Sequence, residues 1–181
     1  YIIDKYVHWA TYEPEEEGIL IVYASMYGNT EYAAQALASK LCERGMTNIS
    51  LRDVSSTHVS TLIAESFKYS NIVLASVTYN LGIYPVMKNY LEDMKALNLQ
   101  NRAVSIIGNG TWAPQAAEKM EQFLDEEMRL MDVLPETLEI TSSLKSAKEP
   151  DMDAIVDGIF DSMKKRREEK EKAASQRKGK K

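Results

Sequence analysis

The sequence predicts an α/β protein: a three-layer, doubly wound, five-stranded parallel sheet with helices on both faces. Two observations predict it. Short runs of consecutive apolar residues alternate with longer segments whose apolar residues recur every three or four positions. Strands that are apolar on both sides are typical of parallel sheets, and a regular strand–helix alternation supplies the crossovers that connect such strands.

The first two strand–helix units come early in the chain. The apolar run ILIVYAS, 19–25, predicts the first strand, and TEYAAQALASKLCERG, 30–45, follows it. Alanine and leucine recur every four residues in that segment, and its closing glycine is typical of a helix C-terminus. The run NISLRDV, 48–54, predicts the second strand, and helical apolar spacing over 59–67 predicts the second helix.

Three further units complete the pattern. The runs NIVLAS, 71–76, and RAVSIIG, 102–108, predict the third and fourth strands, both buried. The segment ETLEITS, 136–142, alternates in polarity and predicts a half-exposed edge strand. Apolar spacing, together with a proline in the first turn of the first segment, predicts three more helices. These helices cover 84–97, 116–131 and 152–163.

The two ends of the chain differ from its middle. Residues 1–17 have no clean period and finish in proline and glutamates, so we expect a linker from a missing N-terminal domain. The start at tyrosine rather than methionine fits a fragment of a longer protein. Residues 18–163 form the predicted globular domain. Residues 164–181 carry ten basic and three acidic side chains, which predicts a charged, disordered tail.

Composition excludes several classes of function. The chain has a net charge of −5 although its tail is basic, so the folded part is acidic and is not expected to bind nucleic acid. No apolar run approaches the roughly 20 residues that span a membrane. Cys42 is the lone cysteine, which favours a reducing cytoplasm. His8 and His58 are the two histidines, and neither belongs to a metal-ligand cluster.

Candidate binding residues follow three of the apolar strands, in the loops 25–30, 77–83 and 109–114. The carboxyl ends of parallel strands meet at one edge of the sheet, and ligands bind there where the strand order reverses. The three loops are rich in glycine, asparagine, serine, threonine and aromatic residues. We therefore expect them to form one site.

The first loop, SMYGNT, leads directly into a helix N-terminus, where unpaired N–H groups and the helix dipole favour an anion. No lysine or arginine lies between Tyr23 and Leu37, and neither a nucleoside-triphosphate loop nor a dinucleotide fingerprint is present. One terminal phosphate monoester, held by amides and hydroxyls, satisfies these facts. The predicted ligands are Ser25, Met26, Tyr27, Gly28, Asn29 and Thr30.

The other two loops each offer an aromatic side chain, Tyr79 and Trp112. Two aromatics at neighbouring strand ends can enclose a flat ring while loop amides bond its heteroatoms. A phosphate at one end and a stacked tricyclic ring at the other describe flavin mononucleotide, FMN. The predicted contacts in these loops are Thr78, Tyr79, Asn80, Leu81, Gly82, Asn109, Gly110, Thr111, Trp112 and Ala113.

The segments YASMYGNTEYAAQAL, VTYNLGIYPVMKNYL and NGTWAPQAAEKM resemble the flavodoxin-like domain of A-type flavoproteins, the flavodiiron proteins. The resemblance covers about residues 1–163 and implies FMN and the sheet order 2-1-3-4-5, for which flavodoxin is the standard example. The third loop reads GNGTW at 108–112, whereas the family commonly has GSYGW. No catalytic residue is assigned.

The resemblance also implies partners. In the family, a metallo-β-lactamase-like domain with a di-iron site precedes the flavin domain and reduces dioxygen or nitric oxide. Electrons reach the FMN from a rubredoxin-type or NAD(P)H-dependent donor, and the parent protein is a head-to-tail homodimer. The chain is accordingly expected to relay electrons to a di-iron site that it does not itself contain.

Two alternatives remain. A free-standing flavodoxin or FMN-dependent reductase would have the same three loops. A phosphoreceiver domain shares the doubly wound sheet but needs an acidic phosphoacceptor after its third strand, where this sequence has Ala75 and Ser76.

Overall fold

A computed structural model describes residues 2–178, with side chains through residue 176. Strands and helices alternate along these residues. Their bounds are α1 Ile2–Ala10, β1 Glu16–Ala24, α2 Asn29–Glu43, β2 Ile49–Asp53, α3 Val59–Lys68, β3 Tyr69–Tyr79, β4 Gly82–Ile83, α4 Pro85–Ala96, β5 Ala103–Asn109, α5 Ala116–Glu127, β6 Asp132–Ile140, a 3₁₀ turn Ser146–Lys148, and α6 Glu149–Lys178.

The main sheet has the order β2-β1-β3-β5-β6, and all its neighbouring strands are parallel. The two-residue β4 pairs antiparallel with β3 alone. Counting the parallel strands in chain order gives 2-1-3-4-5, so the predicted fold class and strand order are confirmed. The strand order reverses between β1 and β3, which places the topological switch point at their carboxyl ends.

The core consists of two apolar clusters, one on each face of the sheet. Leu20 and Val22 of β1 belong to the cluster under α3, α4 and α5, whereas Ile19 and Ile21 belong to the cluster under α2 and α6. All four side chains are fully buried. Because successive strand residues point to opposite faces, a continuous apolar run fills both clusters at once. This is why the apolar runs predicted the strands.

Some element bounds differ from the predicted ones. The central strand β3 covers 69–79 rather than 71–76, because buried polar residues at its start have partners. The Ser70 hydroxyl donates to Asn71 Oδ1 at 2.9 Å, and Asn71 Nδ2 donates to Ser162 at 2.8 Å. The edge strand β6 begins at Asp132, four residues earlier than predicted. The short β4 was not predicted.

The terminal segments also differ from expectation. The predicted linker contains α1 and the start of β1, and its role as a linker stays a prediction. In the segment predicted as a disordered tail, α6 continues as far as Lys178. Arg167 lies 3.3 Å from Glu17 and Lys170 lies 3.7 Å from Glu13, so the basic helix contacts the acidic residues at and before the start of β1. Tail residues 179–181 lie outside the described residues.

No helix in the described part of the chain is long and apolar enough to cross a membrane.

Candidate functional site

The loops after β1, β3 and β5 meet at the carboxyl edge of the sheet and enclose a cavity of about 170 Å³. This cavity lies at the switch point between β1 and β3, where ligands of doubly wound sheets bind. Its lining residues are Ser25, Met26, Tyr27, Asn29, Thr30, Val77, Thr78, Asn109, Gly110, Thr111 and Ser142.

The first loop is closed by a hydrogen bond between its backbone and one of its own side chains. Gly28 is the residue before α2 and has a left-handed conformation, with φ of 87°. Its N–H donates to the Ser25 hydroxyl oxygen at 3.0 Å. A side chain at Gly28 would meet no atom within 4 Å, so glycine is favoured here by the backbone conformation and not by lack of space.

The N-terminus of α2 is open to an anion. No side chain caps its first turn. Its N–H groups therefore point towards the cavity without a competing acceptor from the cap residue, and the helix dipole adds positive potential there. Among the lining side chains, all of which the structure describes, none is a lysine, arginine or histidine. The loop can thus attract an anion by hydrogen bonds and dipoles alone.

Thr30 and Asn109 join the first loop to the third. Both are buried, with 1% and 4% of their surfaces exposed. Asn109 Nδ2 donates to Thr30 Oγ1 at 3.3 Å and to the carbonyl oxygen of Ser142 at 2.9 Å. The N–H of Ser142 donates to Asn109 Oδ1 at 3.1 Å. Asn109 was predicted as a flavin contact, and the structure gives it these three protein bonds at the cavity wall.

Thr78 positions the start of α5. Its hydroxyl oxygen accepts hydrogen bonds from the N–H groups of Gln115 at 3.0 Å and Ala116 at 3.1 Å. The neighbouring Gly110 is tightly enclosed, since a Cβ there would lie 2.7 Å from Pro114 Cα and 3.0 Å from Thr78 Oγ1. The second and third loops therefore pack directly against each other at the cavity wall. Among the described residues, no hydrogen bond donated by the Thr78 hydroxyl is present.

The predicted residues divide into two groups. The lining residues other than Val77 and Ser142 were all predicted as ligand contacts. Gly28 closes the first loop without lining the cavity. The remaining predicted contacts also lie outside the lining, and their contact with a ligand stays a prediction. They are Tyr79, Asn80, Leu81, Gly82, Trp112 and Ala113.

The residues outside the lining form an exposed rim. Asn80 and Leu81 both have positive φ, 49° and 59°, and make the two-residue turn between β3 and β4. Tyr79 is 43% exposed and packs edge-on against Tyr84, with 5.9 Å between ring centroids. Trp112 is 96% exposed. Two aromatic side chains are therefore available at this edge of the sheet.

Sequence reasoning missed Ser142, which belongs to a fourth loop. It follows β6, has φ of 68°, and lines the cavity. The run of threonine and serine at 141–143 was a signal, since it lies at the carboxyl end of the fifth predicted strand, where the same edge-of-sheet argument applies. The predicted strand, 136–142, included Ser142, whereas β6 ends at Ile140 and leaves this residue in the loop.

One tyrosine beside the first loop has a perturbed acidity. Burial raises the pKa of the Tyr23 hydroxyl, and the carboxylates of Glu31 and Asp53 raise it further. Tyr23 therefore stays neutral at physiological pH and adds no charge near the cavity.

A second cavity, of about 250 Å³, lies on the flank of the domain between β4, α4 and α5. It is larger, but it is shallow and lies away from the helix N-terminus that attracts an anion. Its lining includes Ile83, Lys88, Lys119, Phe123 and Glu126. The described residues contain no group of three or more histidine, cysteine, aspartate or glutamate side chains that could hold a metal ion.

Comparison with known proteins agrees with this geometry. The flavodoxin family, by its sequence pattern, matches residues 21–151. The anaerobic nitric oxide reductase flavorubredoxin of Klebsiella pneumoniae is 26% identical over 155 residues, covering 85% of this chain and 30% of the relative. The chain thus spans about a third of the length of the curated relatives it matches.

Solved structures show the same fold. Rubredoxin oxygen:oxidoreductase from Desulfovibrio gigas aligns with a TM-score of 0.81 and 23% identity, covering 90% of this chain and 39% of that one. A flavodoxin from Streptococcus pneumoniae aligns with a TM-score of 0.67 and 19% identity, covering 80% of this chain and 98% of that one. At these identities the likeness concerns the fold alone.

Proposed function

Because the chain belongs to the flavodoxin family, a family of FMN-binding electron carriers, we propose that the cavity at the carboxyl edge of the sheet binds the FMN phosphate. The observation that carries this proposal is the uncapped N-terminus of α2 behind a left-handed Gly28. Amide N–H groups and the hydroxyls of Ser25 and Thr30 meet there. This donor set fits a phosphate monoester.

The proposed ring site is the exposed rim next to the cavity. Tyr79 and Trp112 would lie on the two faces of the isoalloxazine ring, and the Asn80–Leu81 turn would present backbone groups to its edge. The exposure of both aromatic side chains leaves their faces free for stacking. Thr78, between cavity and rim, would donate its hydroxyl hydrogen to the ribityl chain.

Bound FMN would supply one- and two-electron redox chemistry. The residues of this chain would hold the phosphate, orient the ring and shield one part of it from water. Since the fold places the rim at the surface, the ring edge would remain accessible to a redox partner. The proposed function is therefore electron transfer.

We further propose that this domain serves a flavodiiron oxidoreductase. The support is the similarity to a protein called a nitric oxide reductase flavorubredoxin and the fold shared with an oxygen:oxidoreductase. The proposed partners are a metallo-β-lactamase-like di-iron domain of the parent chain and a rubredoxin-type or NAD(P)H-dependent donor. The proposed parent is a cytoplasmic head-to-tail homodimer.

Titration with three flavins tests the binding proposal. Protein freed of flavin would be titrated with FMN, FAD and riboflavin, with flavin fluorescence as the readout. We expect one FMN per chain and much weaker binding of riboflavin, which lacks the phosphate, and of FAD, which carries a pyrophosphate and adenosine. Equal affinity for FMN and riboflavin would contradict the assignment of the cavity.

The second candidate is a free-standing flavodoxin or FMN-dependent reductase. The alignment to 98% of the Streptococcus pneumoniae flavodoxin favours it. Stopped-flow reoxidation of the reduced protein by oxygen and by nitric oxide separates the two. A flavodiiron module should react with nitric oxide rapidly only when the separate metal domain is added. Fast, metal-independent formation of nitrous oxide by this chain alone would contradict the proposal that it is the flavin domain of a flavodiiron oxidoreductase.

A further inference from the structure

We propose that Asn109 is a positioning residue that makes the Thr30 hydroxyl a hydrogen-bond donor to the phosphate, thereby setting the preference for phosphorylated flavin. This inference rests on the proposed function and assigns a role to a residue in the third loop, where the sequence departs from the pattern of the family it resembles. It also moves Asn109 from the ring end of the site to the phosphate end.

The first step is the orientation of the Asn109 side chain. Its amide forms two antiparallel hydrogen bonds with the backbone of Ser142: Nδ2 donates to the carbonyl oxygen and Oδ1 accepts from the N–H. If the amide oxygen and nitrogen were exchanged, Nδ2 would face the Ser142 N–H, donor against donor, and Oδ1 would face the Ser142 carbonyl oxygen, acceptor against acceptor. The backbone of Ser142 therefore determines which atom of Asn109 is the nitrogen.

The second step is the direction of the remaining hydrogen. The Nδ2 group has two hydrogens, and one is used by the Ser142 carbonyl. The other is left for Thr30 Oγ1, 3.3 Å away. Since an amide N–H cannot accept, Thr30 must be the acceptor in this contact. Asn109 is 4% exposed, so water does not compete for this position.

The third step concerns Thr30 itself. Its oxygen accepts from Asn109, so its own hydrogen is free to be donated elsewhere. No other side-chain hydrogen bond of Thr30 is present in the described part of the chain, and Thr30 lines the cavity. The hydroxyl hydrogen is thus available to an anion in the cavity. A hydroxyl that donates to a charged oxygen forms one of the stronger hydrogen bonds in proteins.

The role of the fourth loop follows. Ser142 acts through its backbone, held in a left-handed conformation with φ of 68°. The order of contacts is Ser142 backbone, Asn109 amide, Thr30 hydroxyl and phosphate oxygen. A loop that does not need to touch the flavin ring would in this way affect selection at the phosphate end.

A double-mutant cycle tests the proposal. The variants are Asn109→Ala, Thr30→Val and their combination, each titrated with FMN and with riboflavin. We expect each single change to weaken FMN binding roughly 10- to 100-fold and riboflavin binding much less. The double variant should be scarcely weaker than Thr30→Val alone, because Asn109 acts through the Thr30 hydroxyl. The control is Ser143→Ala, which removes an exposed hydroxyl from the residue next to Ser142.

Two results would overturn the proposal. If Asn109→Ala weakens FMN and riboflavin equally, its role is structural; if its effect on FMN persists undiminished in the Thr30→Val background, it does not act through Thr30. Asn109→Asp provides a second test if the alanine variant unfolds. The aspartate carboxylate can still accept from the Ser142 N–H, but its second oxygen would accept the Thr30 hydroxyl hydrogen instead of donating to the Thr30 oxygen. FMN binding should therefore again fall more than riboflavin binding. An unmodified protein that does not prefer FMN to riboflavin would instead overturn the proposed function, and this assignment with it.

Discussion

The Arg102 guanidinium donates from Nη1 to the carbonyl oxygen of Tyr12 at 2.7 Å, which joins the start of β5 to the segment before β1. Arg102 is fully buried, and no carboxylate among the described residues is hydrogen-bonded to it. Its other acceptors are the carbonyl oxygens of Ser66, Phe67, Gln100 and Asn101. Burial lowers the pKa of Arg102 to about 10, so the side chain is still charged at neutral pH.

We predict that Arg102→Met lowers the free energy of unfolding by roughly 1–3 kcal/mol, the cost of leaving buried hydrogen-bond acceptors without a donor. The change leaves main-chain oxygens from three segments without their shared donor. Urea unfolding followed by circular dichroism measures the effect. Arg129→Met is the matched control, because Arg129 is exposed. Similar losses for both variants would show that the buried bonds contribute little.

The pair of Glu65 and Arg52 gives a pH-dependent prediction. Two bonds, of 2.6 and 2.9 Å, join the guanidinium to the carboxylate, and Ser50 donates to the same carboxylate. The bond from Arg52 lowers the pKa of Glu65. The pKa of Glu65 is therefore lower in the folded protein than in the unfolded chain, where it is about 4.3. The ion pair stabilises the fold fully above this unfolded pKa, and the stabilisation is lost as the pH falls through the folded pKa.

Glu65→Gln should therefore cost roughly 1–3 kcal/mol of unfolding free energy at pH 7 and progressively less below about pH 4. The measurement is urea unfolding of both proteins at several pH values. Glu121→Gln, an exposed change on α5, should have little effect at any of them. A difference that stayed constant down to pH 2.5 would mean that the charge of Glu65 is not what stabilises the fold.

The sheet could be predicted because its information is local. Runs such as the one through Ile19 and Ile21 are apolar on both faces. Short runs of this kind are typical of the buried strands of a parallel sheet. The helical tail was missed because its contacts are distant in sequence. Arg166 donates to Asn101 Oδ1 at 3.0 Å, 65 positions away, and composition alone does not reveal such a partner. Charged residues four apart, as at Glu168 and Lys172, further support that helix.

The site was predicted in part for the same reason. The first loop is one continuous segment that leads into a helix, so Ser25 and Thr30 could be placed at the cavity from order and spacing. Asn109 was placed near the ring because of its neighbours in sequence. Its actual partners, Thr30 and Ser142, come from two other loops. Side-chain amides that connect loops depend on the tertiary structure and leave no sequence period.

Trp112 offers a prediction about the ring end. If its indole stacks on the flavin ring, Trp112→Ala should weaken FMN and riboflavin alike, by roughly 1–3 kcal/mol if flavin stacking resembles base stacking. The chain has two tryptophans, so the Trp9→Phe protein reports on Trp112 alone. Its fluorescence should be strongly quenched when FMN binds. Unchanged fluorescence at saturating FMN would place Trp112 away from the ring.

The hydroxyl of Ser25 offers a prediction about the loop itself. Ser25 accepts from the Gly28 N–H at 3.0 Å and can donate its hydrogen to the phosphate. Ser25→Ala should weaken FMN binding roughly 10- to 100-fold and leave riboflavin binding nearly unchanged. Thr61→Val, which removes an exposed hydroxyl from α3, is the control. An equal loss for both flavins would mean that Ser25 only shapes the loop.

The last prediction concerns salt. The cavity lining has no cationic side chain, and the chain has a net charge of −5, whereas the FMN phosphate carries nearly two negative charges at pH 7. Long-range repulsion should therefore oppose binding, while the short hydrogen bonds at the N-terminus of α2 are little affected by screening. At 0.1 M salt the screening length is about 10 Å, so added salt removes the repulsion and keeps the contacts. FMN should bind faster and somewhat more tightly as ionic strength rises.

Riboflavin, which has no phosphate, should show no such trend. Stopped-flow fluorescence across a salt series measures both rates. A site that used lysine or arginine would give the opposite slope for FMN, and that slope would overturn a phosphate site built from amides and hydroxyls.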